Sequence, residues 1–137
     1  MKQTSMFSYT KSTGGLRPGT PIVDLFCGIG GFSCGAKLAG HTILLGVDSD
    51  PFLLYGHVMN NRKSRHQCLQ LPSEHLRLPT EGPWHLHASP PCQKLSIMVP
   101  NREESERGEA VDLVAWVFEL VKNAKPSLNK KYPYVQK

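Results

Sequence analysis

Hydrophobic and polar positions divide this chain into short apolar runs separated by glycine, proline and charged residues. The runs at 21–26 and 42–47 have the length and composition of buried strands. The run at 84–88 is a further strand candidate, and the sequence Ser-Pro-Pro-Cys-Gln follows it directly. A weaker pattern at 66–71 predicts one more short strand.

Three other segments predict helices. The segment 32–39 follows a glycine-rich loop. Asp50 and Pro51 are typical of an N-cap and a first helical residue, so we expect a helix from there to about Asn60. The segment 109–122 has the clearest helical period, with these apolar residues at three- and four-residue spacing: Ala110, Leu113, Val114, Val117 and Val121. Strands alternating with helices predict an α/β fold, a parallel sheet with helices on both faces.

Composition narrows the class of protein. Hydrophobic residues make up 39% and charged residues 20% of 137 positions, which is typical of one globular domain. No apolar run approaches the roughly 20 residues that span a bilayer, and the polar N-terminus lacks the apolar core of a signal peptide. We therefore expect an intracellular protein, nuclear or cytoplasmic and not secreted, with no membrane partner. The segment 1–20 is expected to be a flexible lead.

Charge and cysteine usage refine this expectation. The net charge is +5, and five lysines follow Glu119, which is compatible with a polyanionic partner such as nucleic acid. The four cysteines form no CxxC pair, which argues against a zinc finger. His85 and His87 lie on one strand face, but they lack further ligands, so we expect no metal.

A glycine loop and an acid indicate a cofactor site. Gly28, Gly30 and Gly31 lie between a predicted strand and a predicted helix, where glycine permits a tight turn and close approach of a ligand. Asp48 ends the next strand, 20 positions after Gly28, where nucleotide-binding α/β folds place a carboxylate for ribose hydroxyls. The spacing differs from GxGxxG and is closer to that of an adenosyl-cofactor loop.

Cys92 is the candidate nucleophile. It follows two prolines at the end of the run 84–88, and each proline fixes its own φ and restrains the residue before it. The thiol is therefore expected to be held in one direction at the carboxyl end of a strand, where open α/β sheets bind ligands. The alternative is a buried strand-end thiol without a chemical role.

Three motifs resemble those of the C5-cytosine-specific DNA methyltransferases in order and spacing. They are Asp-Leu-Phe-Cys-Gly-Ile-Gly-Gly-Phe at 24–32, Val-Asp-Ser-Asp-Pro at 47–51 and Ser-Pro-Pro-Cys-Gln at 89–93. The resemblance covers about 22–126 and implies a Rossmann-like S-adenosylmethionine-dependent methyltransferase fold. It implies methyl transfer from S-adenosylmethionine to C5 of cytosine in DNA, through a covalent adduct between Cys92 and C6 of a flipped base.

The same resemblance assigns residues to the site. Cys92 is the catalytic residue by this analogy, and Gln93 and Ser96 contact the substrate. The cofactor-binding residues that it implies are Phe26, Gly28, Gly30, Gly31, Asp48, Ser49 and Pro91.

Three departures from the family pattern affect the expected activity. The segment 66–71 lacks the acid that contacts the adenine amino group in the family, and no acid follows Glu119, where the family has a glutamate that protonates cytosine N3. The family's arginine motif, target-recognition region and closing helix have no counterpart. We therefore expect a partial catalytic domain at 21–126, incomplete at its C-terminus, with an atypical basic tail at 127–137. A truncated enzyme, or one part of a split enzyme whose second chain supplies the glutamate and the recognition region, fits this pattern.

Alternatives stay open at this stage. One is a catalytically inactive S-adenosylmethionine-binding or regulatory remnant, and another is a fragment of an RNA cytosine methyltransferase, since one branch of the family methylates tRNA. A small nucleotide-binding oxidoreductase on the same fold is disfavoured, because its glycine spacing differs and it has no use for the Pro-Cys-Gln element.

Overall fold

The computed structural model describes residues 19–91 and 112–123. Four parallel strands form one sheet in the order β3-β2-β1-β4. The strands are β1 Pro21–Leu25, β2 Thr42–Asp48, β3 Arg65–Cys68 and β4 His85–Ala88. Helix α1 (Gly31–Leu38) joins β1 to β2, helix α2 (Pro51–Asn60) joins β2 to β3, and residues 112–123 form helix α3. The predicted α/β fold with a parallel sheet is confirmed.

Strand order decides where a ligand can bind. The order of the strands reverses between β1 and β4, because the chain proceeds outward from β1 to β3 and then returns to the other side of β1. In Rossmann-like sheets the crevice at such a switch point, outside the carboxyl ends of the strands, is the ligand site. The loops after Leu25 and Ala88 border that crevice.

Both faces of the sheet are covered, which explains the continuous apolar composition of β1. On one face, Val23 and Leu25 are fully buried with Leu45 and Val47 of β2. On the other face, Ile22 packs with Ile43 and with Ala36 of α1. The expectation of helices on both faces is confirmed within the described residues, because α3 covers the first face.

Helix α3 contacts the core through two residues that are not among the apolar residues listed above for the predicted helix 109–122. Trp116 and Leu120 pack against the cluster that contains Leu71 and Trp84. The listed residues that the structure describes are half-buried: Leu113, Val114, Val117 and Val121. The first of the list, Ala110, lies outside the described residues. Periodicity therefore predicted the helix, and the two residues that reach the cluster adjoin the predicted apolar residues on the same helix face, three positions after Leu113 and Val117.

Local signals place the helix starts. The Asp50 side chain accepts hydrogen bonds from the Phe52 and Leu53 backbone N–H groups at 2.8 and 3.3 Å, and Pro51 is the first helical residue, as predicted. Helix α1 instead begins after Gly30, which has a left-handed backbone (φ 101°) and no side-chain cap. The start of α1 therefore depends on the loop before it.

Two sequence expectations about strands differ from the structure. Strand β3 is Arg65–Cys68, shorter than the predicted 66–71, and Leu71 leaves the sheet to enter the core. Trp84 precedes β4 and is buried, with its indole N–H donating to the Pro79 carbonyl at 3.2 Å. Both side chains pack under the sheet from a loop, a role that apolar runs alone do not distinguish from a strand.

The ends of the predicted domain map are mostly outside the described chain. The predicted lead at 1–20 lies there except for Gly19 and Thr20, and the predicted tail at 127–137 lies there entirely. Within the residues that the structure describes, no helix combines the length and the apolar character that crossing a membrane requires.

Candidate functional site

The glycine loop leaves β1 through a series of left-handed residues. Phe26 has φ 59°, which is uncommon for a residue with a side chain, and Gly28 and Gly30 have φ 52° and 101°. The Cys27 N–H donates to the Val47 carbonyl at 3.0 Å, and the Gly30 N–H donates back to the Cys27 carbonyl at 3.0 Å. The turn is therefore held by backbone bonds, and glycine lowers its conformational cost.

Asp48 joins the loop to the end of β2. Its Oδ2 accepts the Gly28 N–H at 2.8 Å, and its Oδ1 accepts the Asp50 N–H at 2.9 Å. Each carboxylate oxygen has a second lone pair, so the group can still accept hydroxyl donors from a ligand. Asp48 thus braces the loop as well as presenting a carboxylate, and Ser49 beside it is exposed.

The three loop glycines have different surroundings. A Cβ on Gly28 or Gly31 would meet nothing within 4 Å, so open space lies in front of both residues. A Cβ on Gly30 would lie 2.9 Å from Cδ2 of His57, so this glycine faces the protein interior. Gly28 and Gly31 fit the side of a cradle for a ligand, and Gly30 fits close packing beneath it.

A buried polar network lies under the loop. Asp24, Ser33 and His57 are each fully buried. The Ser33 hydroxyl donates to Asp24 Oδ2 at 2.6 Å, and Ser33 Oγ lies 2.9 Å from Nε2 of His57. On the other side of its ring, His57 Nδ1 lies 2.8 Å from Nε2 of His66 on β3. Four elements, β1, α1, α2 and β3, are tied together by these bonds.

The network continues to the last strand through Asp24. Strand register pairs Asp24 with His87, and the His87 Nδ1–H donates to Asp24 Oδ1 at 2.9 Å. His87 Nε2 is then free to accept from the Ser89 hydroxyl, which lies 3.2 Å away. The Phe32 ring stacks on the His87 ring with centroids 3.4 Å apart. The start of α1 and the loop after β4 are therefore in contact at the carboxyl edge of the sheet.

Burial changes the proton affinity of several groups here. It lowers the pKa of His57, and the neighbouring His66 lowers it further. Burial also lowers the pKa of His66 and of His85. For Cys27, burial and then the charges of Asp24 and Asp48 raise the pKa of the thiol to about 12. A thiol that is buried and remains protonated is a poor nucleophile, so we assign Cys27 to packing.

Most of the predicted cofactor residues share one edge of the sheet. Pro91 is exposed and follows β4, and the remaining members lie in the loop after β1 or at the end of β2: Phe26, Gly28, Gly30, Gly31, Asp48 and Ser49. Cys92, Gln93 and Ser96, the predicted catalytic and substrate residues, lie outside the described residues.

The motifs and spacings of the chain assign no role to the residues of the buried network. A polar residue at a buried position of a helix, such as Ser33 or His57, is a signal that a partner must exist. The partner itself is not readable from spacing, since it comes from another element. In the described part of the chain, no group of three or more His, Cys, Asp and Glu side chains could hold a metal ion.

A separate cleft opens at the amino ends of the strands, opposite the end that carries the glycine loop. Its lining includes Thr42, the first residue of β2, with Lys37, Arg62 and Lys63 around it. The Lys37 ammonium donates to the Asn60 carbonyl at 2.5 Å, so it neutralises the carboxyl end of α2. The cleft lies at the amino end of β2, whereas the loop and Asp48 lie at the carboxyl ends of β1 and β2, so the two sites are separate.

Comparison with known proteins gives one family. A family model described as C-5 cytosine-specific DNA methylase matches residues 20–128. Type II methylase M.HgiDII of Herpetosiphon aurantiacus is 46% identical over 41 residues, which cover 30% of this chain and 12% of that protein. Type II methyltransferase M.DdeI of Desulfomicrobium norvegicum is 29% identical over 100 residues, which cover 70% of this chain and 24% of that protein. The chain thus spans at most about a quarter of the length of these curated relatives.

One solved structure is also similar. A TehB-like SAM-dependent methyltransferase from Corynebacterium glutamicum aligns with a TM-score of 0.47 at 17% sequence identity. The alignment covers 79% of this chain and 60% of that chain.

Proposed function

The chain belongs to the C-5 cytosine-specific DNA methylase family, and from that premise we propose that it binds S-adenosylmethionine and takes part in methylating C5 of cytosine in DNA. The observation that carries the proposal is the bond from the Gly28 N–H to Asp48 Oδ2 at 2.8 Å. This bond holds a glycine turn and a strand-end carboxylate together beside the crevice between β1 and β4. That combination is what an adenosyl cofactor requires of an α/β sheet.

The residues around the crevice fit this cofactor. Open space lies in front of Gly28 and Gly31, so a ligand can approach the backbone there. Asp48 keeps lone pairs for the ribose hydroxyls, and the half-buried Phe26 offers a ring to the adenine. Ser49, exposed beside Asp48, is proposed as a further polar contact. Bound S-adenosylmethionine would supply an electrophilic methyl group.

Gly30 and Pro91 complete the proposed cofactor set in different ways. The left-handed backbone of Gly30 turns the chain into α1, so its contribution is the shape of the loop. Pro91 is exposed at the carboxyl end of β4, on the other side of the crevice. Together with the loop after β1, it would bound the space that the cofactor fills.

Cys92 is proposed as the nucleophile. Its thiolate sulfur would add to C6 of cytosine, and the electron pair of the C5–C6 double bond would move to C5, which could then accept the methyl group with S-adenosylhomocysteine as the leaving group. A solvent base would remove the C5 proton, and cleavage of the S–C6 bond, with its electron pair returning to sulfur, would restore the aromatic ring and the free thiolate. Gln93 and Ser96 are proposed to contact the flipped base. These three residues lie outside the described chain, so their roles are supported by the family resemblance alone.

DNA is the proposed substrate, and part of the proposed enzyme lies outside this sequence. The net charge of +5 favours a polyanion. The chain matches at most about a quarter of its curated relatives. We propose that the N3-protonating glutamate and the target-recognition region lie in the part of the enzyme that this sequence does not include, either on a second polypeptide or on a longer form of this one. RNA is the alternative substrate, and a regulatory S-adenosylmethionine-binding protein is the alternative function.

Calorimetric titration of S-adenosylmethionine into the purified chain tests the cofactor proposal. We expect saturable binding that falls at least tenfold in Asp48→Ala and is unchanged in Glu74→Ala, an exposed acid that belongs to neither the glycine loop nor β2. Circular dichroism would verify that both variants fold. Absence of binding to the folded wild-type chain would refute the proposal.

Transfer of a labelled methyl group to DNA or RNA distinguishes enzyme from regulatory protein. Transfer to DNA that is lost in Cys92→Ser supports the proposed chemistry, and transfer to RNA alone supports the alternative substrate. Binding without any transfer, even with the rest of a full-length relative added as a second polypeptide, supports the regulatory alternative.

A further inference from the structure

We infer that His57 is a positioning residue for the glycine loop, and that the protonation state of its ring controls how well the loop holds its ligand. The ligand is the S-adenosylmethionine of the proposed function, so this inference rests on that proposal. His57 is fully buried beneath the loop, so it is not exposed to a ligand. It acts through the backbone at Gly30.

The His57 ring occupies a slot between two glycines. A Cβ on Gly30 would lie 2.9 Å from Cδ2 of the ring, and a Cβ on Gly46 would lie 2.6 Å from Cε1. Real Cβ atoms do not approach that closely, so the backbone of the loop and the backbone of β2 both lie directly against the imidazole. The position of the ring therefore fixes the position of Gly30, the residue that caps α1 and ends the loop.

Hydrogen bonds hold the ring in that slot and fix its tautomer. Ser33 has one hydroxyl proton, which it donates to Asp24 Oδ2 at 2.6 Å. Ser33 Oγ can therefore only accept from His57, so the proton of the neutral ring is on Nε2. His57 Nδ1 is then an acceptor and receives the Nε2–H of His66 at 2.8 Å. Both ring nitrogens are used.

Acid disturbs this arrangement. A proton added to His57 goes to Nδ1 and replaces the acceptor with a donor, which faces the N–H of His66. His66 must then give up its Nε2 proton or move away. Either change alters the contact that sets the ring against Gly30.

Charged and titratable groups face His57 from each element packed against it. Asp24 on β1 and Asp48 on β2 favour the cation, whereas burial, His66 on β3 and Lys37 on α1 disfavour it. Burial is the largest influence, so the pKa of His57 lies below its ordinary 6.5. The neutral ring is thus the working form at neutral pH, and protonation begins only as the solution becomes clearly acidic.

Binding of S-adenosylhomocysteine, the demethylated product, measured calorimetrically from pH 7.5 to pH 5, tests the inference. We expect the affinity of the wild-type chain to fall progressively as the pH decreases over this range, because the protonated fraction of His57 rises. His57→Gln keeps an amide donor for Ser33 and a carbonyl acceptor for His66 but does not titrate. It should bind nearly as well as wild type at pH 7.5 and show a flat pH profile.

Two further variants separate positioning from folding. His57→Phe fills the slot without polar partners, so it should bind weakly at every pH. His75→Gln alters an exposed histidine next to Glu74 and should leave the wild-type fall unchanged. Circular dichroism at each pH shows whether the chain is folded. A flat wild-type profile, or a His57→Gln profile that falls like wild type, would overturn the inference.

A ligand-free readout separates this inference from the proposed function. Absence of binding by the folded wild-type chain at pH 7.5 refutes the proposed function, and the inference is then decided by nuclear magnetic resonance. The amide signals of Gly28 and Gly30 should titrate together with the His57 ring in wild type and stay fixed in His57→Gln. If the amide signals of Gly28 and Gly30 do not shift as the His57 ring titrates, the positioning role is refuted even if the cofactor binds.

Discussion

Removal of the Ser33 hydroxyl tests the buried network most directly. Ser33 is fully buried, donates to Asp24 and accepts from His57. In Ser33→Ala both partners lose a bond in a place that water does not reach. An unpaired buried polar group costs about 1–3 kcal/mol, and more when it is charged. We therefore expect the free energy of unfolding to fall by about 3–5 kcal/mol, a large part of the roughly 5–15 kcal/mol typical of a domain.

Urea denaturation at pH 7.5, followed by circular dichroism and tryptophan fluorescence, measures this loss. The matched control is Cys34→Ala, an exposed position on the same helix, which should stay within about 0.5 kcal/mol of wild type. The slope against urea must be unchanged for the midpoints to report stability alone. A Ser33→Ala variant within 1 kcal/mol of wild type, on the scale of an ordinary solvated bond, would refute the bridging role of this hydroxyl.

Three other outcomes are expected. The pKa values of His57 and His66 are lowered in the folded chain, so the unfolded chain takes up protons first as the pH falls. The contribution of these two histidines to stability is therefore complete above about pH 6.5 and is lost as the pH falls below that value. Equal urea midpoints at pH 7.5 and pH 5.5 would contradict this. Cys27, whose pKa burial raises to about 12, should resist iodoacetamide at pH 8 until urea unfolds the chain; rapid labelling of the native protein, located by mass spectrometry, would count against it. Gly30→Ala should lower the free energy of unfolding by about 2–4 kcal/mol in the same urea assay, because the substitution combines a left-handed backbone with a clash against His57. Gly35→Ala, on the exposed side of α1, should be neutral or stabilising by up to about 1 kcal/mol. Equal effects of the two substitutions would show that the His57 ring is not packed tightly against Gly30.

Short-range patterns were sufficient for the element order and for the family. The three motifs that carried the resemblance all lie within the segment matched by the family model, so the recognition is confirmed. Capping by Asp50 and the first helical proline depend only on residues within one helical turn, and both were predicted. The glycine turn is likewise a local property of the backbone.

The packing partners of several apolar residues were not predicted from the sequence. Leu71 and Trp84 were interpreted as strand residues, and they pack beneath the sheet from loops instead. Trp116 and Leu120 contact the core although the cleaner apolar stripe of the same helix suggested other residues. A hydrophobic pattern predicts that a side chain will be buried, but the tertiary structure decides which other residues it packs against.

The sequence by itself determined the alternation of strands and helices, the glycine turn and the motif that names Cys92. Only the tertiary structure decided the network beneath the loop, whose partners are distant along the chain: Ser33 bonds with Asp24 and His57 at separations of 9 and 24 residues, and His87 reaches Asp24 across 63. The register of β1 with β4 sets Asp24 opposite His87, and the crossover through α2 brings His57 under Gly30. Spacing along a chain carries no information about such pairs, because strand order and register decide which residues of different elements lie close enough to form hydrogen bonds.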